Sequence, residues 1–250
     1  MRDGRETNFI FVEGLRLAQE LAATNFEITD CFYTREFAQS ERGARLLGKF
    51  ANVRQATLSE NLLASISDTK APPGIVVLAK KPPVGRAVLE AALENCKPTL
   101  LIVLHKLNNP ANVGAILRTA EAAGASGAIL TRDSANVFSP GSLRGAMGSA
   151  FRLPLWTNTS FGEAIEFCLA HQLKTVCAQL NAQKTHVEID WTVAKALIIG
   201  SEAHGLASDE IAQTDESLII PMRSPVESLN AAVACGIVLY EAVRQRAALS

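Results

Sequence analysis

From residue 99 onward the chain alternates short, almost unbroken apolar runs with longer amphipathic ones, and that alternation restricts the fold more than any other feature. Strands are predicted at LLIVL (100–104), GAIL (127–130), KTVCAQL (174–180), ALIIG (196–200) and SLIIP (217–221), with helices over 111–123, 160–171 and 227–246. Strands this apolar suit a parallel sheet covered by helices on both faces, because a sheet with one wet face would alternate polar and apolar residues. Sheets of that kind place ligands beyond the C-terminal ends of their strands, which directs attention to IIGSE and IIPM. The 250 residues, 48% of them hydrophobic, are enough to bury such a core and to hold one large or two smaller domains.

The segment before it mixes helix-like and strand-like pieces: GLRLAQELAAT, ITDCFYT, ERGARLLGKF, NLLASISD and GIVVLAK. Leu15, Leu17, Ala18, Leu21 and Ala22 approximate one helical face, and the whole reads as a small mixed α/β domain. KKPP, the helix-like GRAVLEAALENC and Pro98 punctuate the chain between Lys80 and Thr99, so the expected division is 1–97 and 98–250.

Charge and cysteine usage narrow the classes of function. The apolar runs are broken well before membrane-spanning length, and MRDGRETNFIF lacks the apolar core of a secretory signal, so a cytoplasmic protein without a membrane partner is expected. Cys31, Cys96, Cys168, Cys177 and Cys235 are widely separated, with no CxxC pair and no neighbouring histidine, which predicts buried thiols and no metal site. The formal net charge of -1 argues against a polybasic tail while leaving room for a local basic patch.

Three polar stations interrupt the apolar domain. In LNNPANVGAILRTAEAAG, Pro110 opens a helix, Val113, Ile116, Leu117 and Ala120 face the core and Gly124 closes it, which leaves Arg118 to explain: an exposed cation lying over apolar surface, or a functional group. In IIGSEAHGL, Gly200 follows a strand where a missing side chain admits a tight turn or a ligand, and Glu202 is either an exposed helix-entry carboxylate or a partner for a polar substrate or an arginine. In SPVESLNAAVA, Ser224, Pro225 and Glu227 fit a capping box with Pro at the first helical position, which leaves Ser228 and Asn230 unexplained by capping.

Taken in order, NVGAILR, IIGSEAHG and IPMRSPVESLNAAVA make residues 99–246 resemble the catalytic domain of the SpoU/TrmH family of knotted RNA 2'-O-ribose methyltransferases. FIFVEGLRLAQEL similarly resembles the opening of the L30e-like substrate-binding domain attached to many members. The resemblance implies a C-terminal parallel sheet with a deep trefoil knot, S-adenosylmethionine as cofactor, structured RNA as substrate (ribosomal in preference to transfer RNA, and not DNA) and a homodimer. The backbone around Leu180, Gly200, Ile220, Met222 and Leu229 would surround the cofactor, and the early GxGxxG of dinucleotide-binding folds is not needed.

By the same resemblance, Asn112, Arg118, Glu202, Ser228 and Asn230 organise catalysis. Arg118 carries the main effect, either accepting the 2'-hydroxyl proton or, as the chemistry of a protonated guanidinium favours, stabilising the developing alkoxide and an adjacent phosphate. Asn112 and Arg118 are six residues apart and share no helical face, so for the two to cooperate either Arg118 reaches back with its long side chain or Asn112 sits at an irregular helix entry. Within SPGSLRGAMGSAFRLP, read as a flexible connection, Arg144 is a candidate RNA contact. The sequence departs from the usual family form at Asn109, where an aspartate is common, and at His105, expected to be a strand-end polar residue; His204 is expected to serve its loop. The competing readings are base methylation by a knotted relative and a nonenzymatic RNA-binding ribosome-assembly factor.

Overall fold

The computed structural model describes residues 8–67, 69, 73–94 and 98–248, which form two sheets. The first is built by β1 (Phe9–Glu13), β2 (Ile28–Thr34), β3 (Arg54–Leu58) and β4 (Ile75–Lys80) in the order β1-β4-β2-β3. Strand β4 is buried along most of its length and runs antiparallel to both neighbours, whereas β2 and β3 are parallel. Helices α1 (Leu15–Leu21), α2 (Arg35–Gln39), α3 (Glu41–Lys49) and α4 (Glu60–Ile66) connect the strands. Thr34, Ser40 and Ser59 cap the last three by accepting a backbone N–H, the function for which short hydroxyl side chains are suited. The mixed α/β reading of this segment matches the structure. Helix α5 (Arg86–Leu93) leads to the second sheet, and Cys96 lies outside the described residues.

The second sheet holds β5 (Leu100–Leu104), β6 (Gly127–Thr131), β7 (Leu155–Thr159), β8 (Lys174–Ala178), β9 (Lys184–Thr185), β10 (Lys195–Ile199) and β11 (Glu216–Ile219). Every pairing is parallel and the order is β7-β6-β5-β10-β8-β11-β9. The central strands β5, β6 and β10 are buried at every position, including Thr131 and Lys195 at strand ends, as expected of strands covered on both faces. Its connecting helices are α6 (Pro110–Ala122), α7 (Pro140–Ala146), α8 (Ser149–Arg152), α9 (Phe161–Ala170), α10 (Ser208–Ile211) and α11 (Ala231–Ala247). No described helix is long and apolar enough to cross a membrane.

The segment 139–154 differs from its reading as a flexible connection. It forms α7 and α8, whose Leu143, Ala146, Ala150 and Phe151 are buried, and its glycines serve packing. Gly114 of α6 and Gly145 of α7 meet face to face: a Cβ on Gly114 would lie 2.2 Å from the Ser142 carbonyl oxygen, so only glycine lets the two backbones approach this closely. Helix α6 is thereby pinned from one side by α7, while α11 packs beside it with Gly236 against Thr119.

Candidate active site

The three polar stations converge at one edge of the large sheet. Helix α6 begins after β5, the loop 200–206 follows β10 and the segment 220–230 follows β11, so all three leave the C-terminal ends of parallel strands. Strand β11 pairs with β8, two places from β5, yet α11 returns to pack on α6. The chain between β11 and α11 therefore crosses the ends of β8 and β10.

A continuous hydrogen-bonded chain ties the three segments together. Asn230 Nδ2 donates to Asn112 Oδ1 at 3.0 Å, and Asn112 Nδ2 donates to Glu202 Oε1 at 3.0 Å. The Glu202 carboxylate also accepts the backbone N–H groups of Asn108 at 3.3 Å and Asn109 at 3.2 Å. Each carboxamide is used from both ends, which fixes its orientation. Burial acts to raise the Glu202 carboxyl, but the donors from Asn112 and the backbone outweigh it and hold the group below the usual carboxylate range. Asn109 caps α6 through its side chain, which accepts Ala111 N–H at 2.9 Å, so the asparagine that departs from the family pattern retains the capping role. Asn112 sits in the first turn of α6, buried to 8% exposure.

The start of α11 overturns the capping box read at Ser224, Pro225 and Glu227. Residues 224–230 are not helical; the helix begins at Ala231, and Asn230 is the cap, its Oδ1 accepting Ala232 N–H at 2.9 Å and Val233 N–H at 3.3 Å. The local pattern was adequate for a helix start, but these residues are drawn out as the strand-crossing segment, and the asparagine that capping was not needed to explain is the one that caps. Ser228 lies exposed in that segment, while Leu229 and Met222 are half-buried.

Arg118 stands apart from the network. It lies on the exposed face of α6 nearly two turns beyond Asn112, with no hydrogen-bond or ion-pair partner among the described residues. Arg144 is likewise on an exposed face, that of α7. Of the five residues read as catalytic, the structure joins Asn112, Glu202 and Asn230 and leaves Arg118 and Ser228 open to solvent.

The five positions read as cofactor contacts cluster at the same edge. Gly200 directly follows β10, and a Cβ there would lie 2.5 Å from the Gly205 carbonyl carbon; the glycine permits the tight turn closed by Ser201 and Gly205. Ile220 packs on the core just after β11, and Leu180, 55% exposed, follows β8. Backbone at the ends of the three adjacent strands β10, β8 and β11 thus lies beside Gly200, which carries no Cβ, and beside the apolar residues Leu180 and Ile220. Among the described residues, no group of three or more His, Cys, Asp or Glu side chains stands together as a metal site would require.

Sequence reasoning missed the support beneath this site. His105, read only as a strand-end polar residue, is buried, with Nδ1 3.0 Å from the Thr131 hydroxyl and Nε2 2.9 Å from Glu210 Oε1. Since the carboxylate can only accept, Nε2 carries the proton and Nδ1 accepts from the hydroxyl. Glu210 also accepts Lys106 Nζ at 2.9 Å and Ala207 N–H at 2.9 Å, so it fastens the end of the 200–206 loop to the end of β5. Glu210 lies 105 residues from His105, and no local pattern announces such a pair. His204 sits in the loop, its N–H donating to the Ser201 hydroxyl.

Comparison with known proteins agrees with this geometry. Residues 99–240 match the model of the SpoU rRNA Methylase family, and residues 2–77 match that of the MRM3-like substrate binding domain. An uncharacterized tRNA/rRNA methyltransferase of Synechocystis is 35% identical over 80% of this chain and 70% of its own length. The 23S rRNA (uridine(2479)-2'-O)-methyltransferase of Streptomyces viridochromogenes is 31% identical over 81% of this chain and 71% of its own. The crystal structure of the SpoU methyltransferase AviRb from the same organism, in complex with AdoMet, superposes with a TM-score of 0.87 at 28% identity, covering 96% of this chain and 91% of that one. With the family model spanning more than half of its residues, and the family's three motifs bonded to one another at a single sheet edge, the chain belongs to the SpoU rRNA methylase family.

Proposed function

We propose that the protein transfers a methyl group from S-adenosylmethionine to a ribose 2'-hydroxyl of ribosomal RNA. The observation that carries this reading is the Glu202–Asn112–Asn230 chain, which locks three family motifs around the C-terminal ends of neighbouring strands. The ribosomal preference draws on the Streptomyces relative, named for 23S rRNA, and on the match to a substrate-binding domain at the N-terminus.

Leu180, Gly200, Ile220, Met222 and Leu229 would hold the cofactor, whose sulfonium supplies an electrophilic methyl. This reading is supported by the apolar side chains of Leu180, Ile220, Met222 and Leu229, which would flank adenine, and by strand-end backbone, which would offer donors and acceptors to the ring edge. Asn112, Glu202 and Asn230 are already bonded to one another, so their part is to fix the walls; Glu202, kept ionised by its donors, holds the entry of α6. Arg118 and Ser228, exposed and with no bonded partner among the described residues, are the groups left to meet RNA. A positioned guanidinium stabilises negative charge developing on the 2'-oxygen without itself losing a proton, and its fork can hold the neighbouring phosphate.

The proposal extends to the trefoil knot and to a homodimer. The knot is supported by the crossing of residues 220–230 over the ends of β8 and β10 before α11 settles on α6. The dimer is supported by Val233, Ile237 and Tyr240, which line one face of α11 at 53%, 36% and 55% exposure, an apolar stripe beside the helix that carries Arg118. A cytoplasmic location is part of the same reading.

Labelled methyl transfer to deproteinised cellular RNA fractions, followed by nucleotide-resolution analysis of the product, tests the reading. Label on a ribose 2'-oxygen of ribosomal RNA is expected. Label on a base, or RNA binding without transfer across all fractions, would sink it in favour of base methylation or an assembly factor. In the same assay Arg118→Ala is expected to lower turnover by about 10²–10³-fold, the loss typical of a removed oxyanion donor, with little change in thermal midpoint because the side chain is exposed.

A further inference from the structure

The small domain carries a feature that the site at the sheet edge does not use. A groove of about 320 Å³ lies between α1 and α3, lined by Leu15, Gln19, Arg42, Arg45, Leu46 and Lys49. That volume is at the lower end of ligand clefts, roughly 300–1,000 Å³. Its cations sit at positions 42, 45 and 49 of one helix, a spacing of three and then four residues that puts all three on one face. All three are exposed; Arg45 touches Glu41 through a solvent-exposed pair, and Arg42 and Lys49 have no partner among the described residues. Leu46, buried, and Leu15, half-buried, supply an apolar side beneath this charged rim.

We infer that this groove binds the phosphate backbone of the substrate RNA at a point remote from the nucleotide being methylated. The inference rests on the RNA methyltransferase reading above. Three cations spread along about 10 Å of helix axis form a line, suited to a polyanion more than to a single phosphate. The lining holds no aromatic ring on which a base would stack, so the groove tracks backbone and ribose and does not read sequence. An ion-pair bridge ties it to the helix that carries Arg118. Glu20, next to Gln19 on α1, accepts from Arg152 of α8, and Arg152 also donates to both carboxylate oxygens of Glu121, three residues beyond Arg118 on α6. Phe26 stacks edge-on against Phe151 beside this bridge, with ring centroids 5.7 Å apart. A strand lying in the groove is thereby held at a set distance from Arg118, as a measuring contact requires.

The test is equilibrium binding of deproteinised ribosomal RNA to the full chain across a salt series, comparing wild type with Arg42→Glu/Lys49→Glu. Folding of the variant is checked by its thermal midpoint, and Arg42→Gln/Lys49→Gln serves as a milder second variant. The reversed pair is expected to weaken RNA binding at least tenfold and to flatten the dependence of log affinity on log salt by roughly 1.4–1.8, the loss of two phosphate contacts. S-adenosylmethionine affinity, measured in parallel, stays at the wild-type value. RNA affinity and salt slope equal to wild type in both variants would overturn the inference. So would weakened binding of a polyglutamate probe with RNA binding intact, which would assign the groove to an acidic protein. Because binding is read directly, failure of the wild type to methylate any RNA would count against the reaction alone.

Discussion

Asn230 places two functions on one carboxamide. Its oxygen caps α11 and its nitrogen donates to Asn112, so helix entry and site geometry are set by the same group. The two can be separated. Asn230→Asp keeps an oxygen for the Ala232 and Val233 N–H groups, and aspartate caps as well as asparagine, but it removes the donor and sets a carboxylate against Asn112 Oδ1. The expected outcome is a thermal midpoint close to wild type with methyl transfer down by at least tenfold, whereas Asn230→Ala loses both, including a cap of about 1 kcal/mol. Equal activity of the aspartate variant would show that the Asn112 contact is dispensable. At this scale the sequence disclosed which residues would meet but not all of what they would do. Asn112, Glu202 and Asn230 are legible through the family resemblance, which carries them over motif by motif; the strand candidates before each motif indicate only where ligands gather. At Ser224 a Ser-Pro-x-Glu string satisfies local capping rules, and nothing local says that the chain must first cross two strand ends.

Helix α6 owes its position to absent side chains as much as to present ones. Gly114 and Gly145 let α6 and α7 approach backbone to backbone, and a methyl on Gly114 would also meet Ala146 N at 2.8 Å. Main chain on both sides cannot rotate away, so Gly114→Ala is expected to destabilise by about 1–3 kcal/mol, the range for overpacking, readable as a lowered midpoint in chemical denaturation. Because α6 carries both Asn112 and Arg118, turnover falls with it; Gly162, whose added Cβ meets nothing within 4 Å, is the control position. Elements follow the sequence where burial is uniform: β5 and the other central strands are readable to within about two residues because their runs are apolar apart from Lys195 and Thr131 at strand ends. Strand β7 was not, since LWTNT at the sheet edge alternates polar residues and lacks that signature, and the two-residue β9 has no pattern to find. The segment now seen as α7 and α8 was masked by its glycines, which locally signal a loop and here mark helix contact.

Across the molecule, charge couples the parts. Burial pushes His105 below its ordinary value of 6.5 against the opposing pull of Glu210 and Asp133, with Lys106 acting in the same direction as burial. A histidine kept neutral by the fold stabilises it fully above pH 6.5, and that contribution falls away as the pH drops, because the unfolded chain then binds the extra proton. Burial raises Glu210, but donors from Ala207, Lys106 and His105 outweigh it and hold the group at about 2 against an ordinary 4.5, which continues the loss at lower pH with the same sign. Thermal midpoints are thus expected to decline between pH 6.5 and 4.5 and to decline less in His105→Gln; a flat profile in the wild type would remove His105 from the account. The second coupling is Arg152, which joins α1 of the small domain to α6 of the large one. Its side chain is 44% exposed, so the ion pairs add at most about 1 kcal/mol to stability, and Arg152→Ala should shift the midpoint little. Its effect belongs to geometry: with the bridge cut, RNA held by the small domain is no longer aligned with Arg118, and a misplacement on the order of an ångström costs up to about 100-fold. Steady-state kinetics on ribosomal RNA should show kcat falling at saturating RNA while S-adenosylmethionine affinity stays unchanged. Arg152→Lys, able to reach one carboxylate but not to form the two-pronged pair with Glu121, should recover only part of the rate. A loss confined to thermal stability, with kcat intact at a temperature where the variant is folded, would reduce Arg152 to a structural tie.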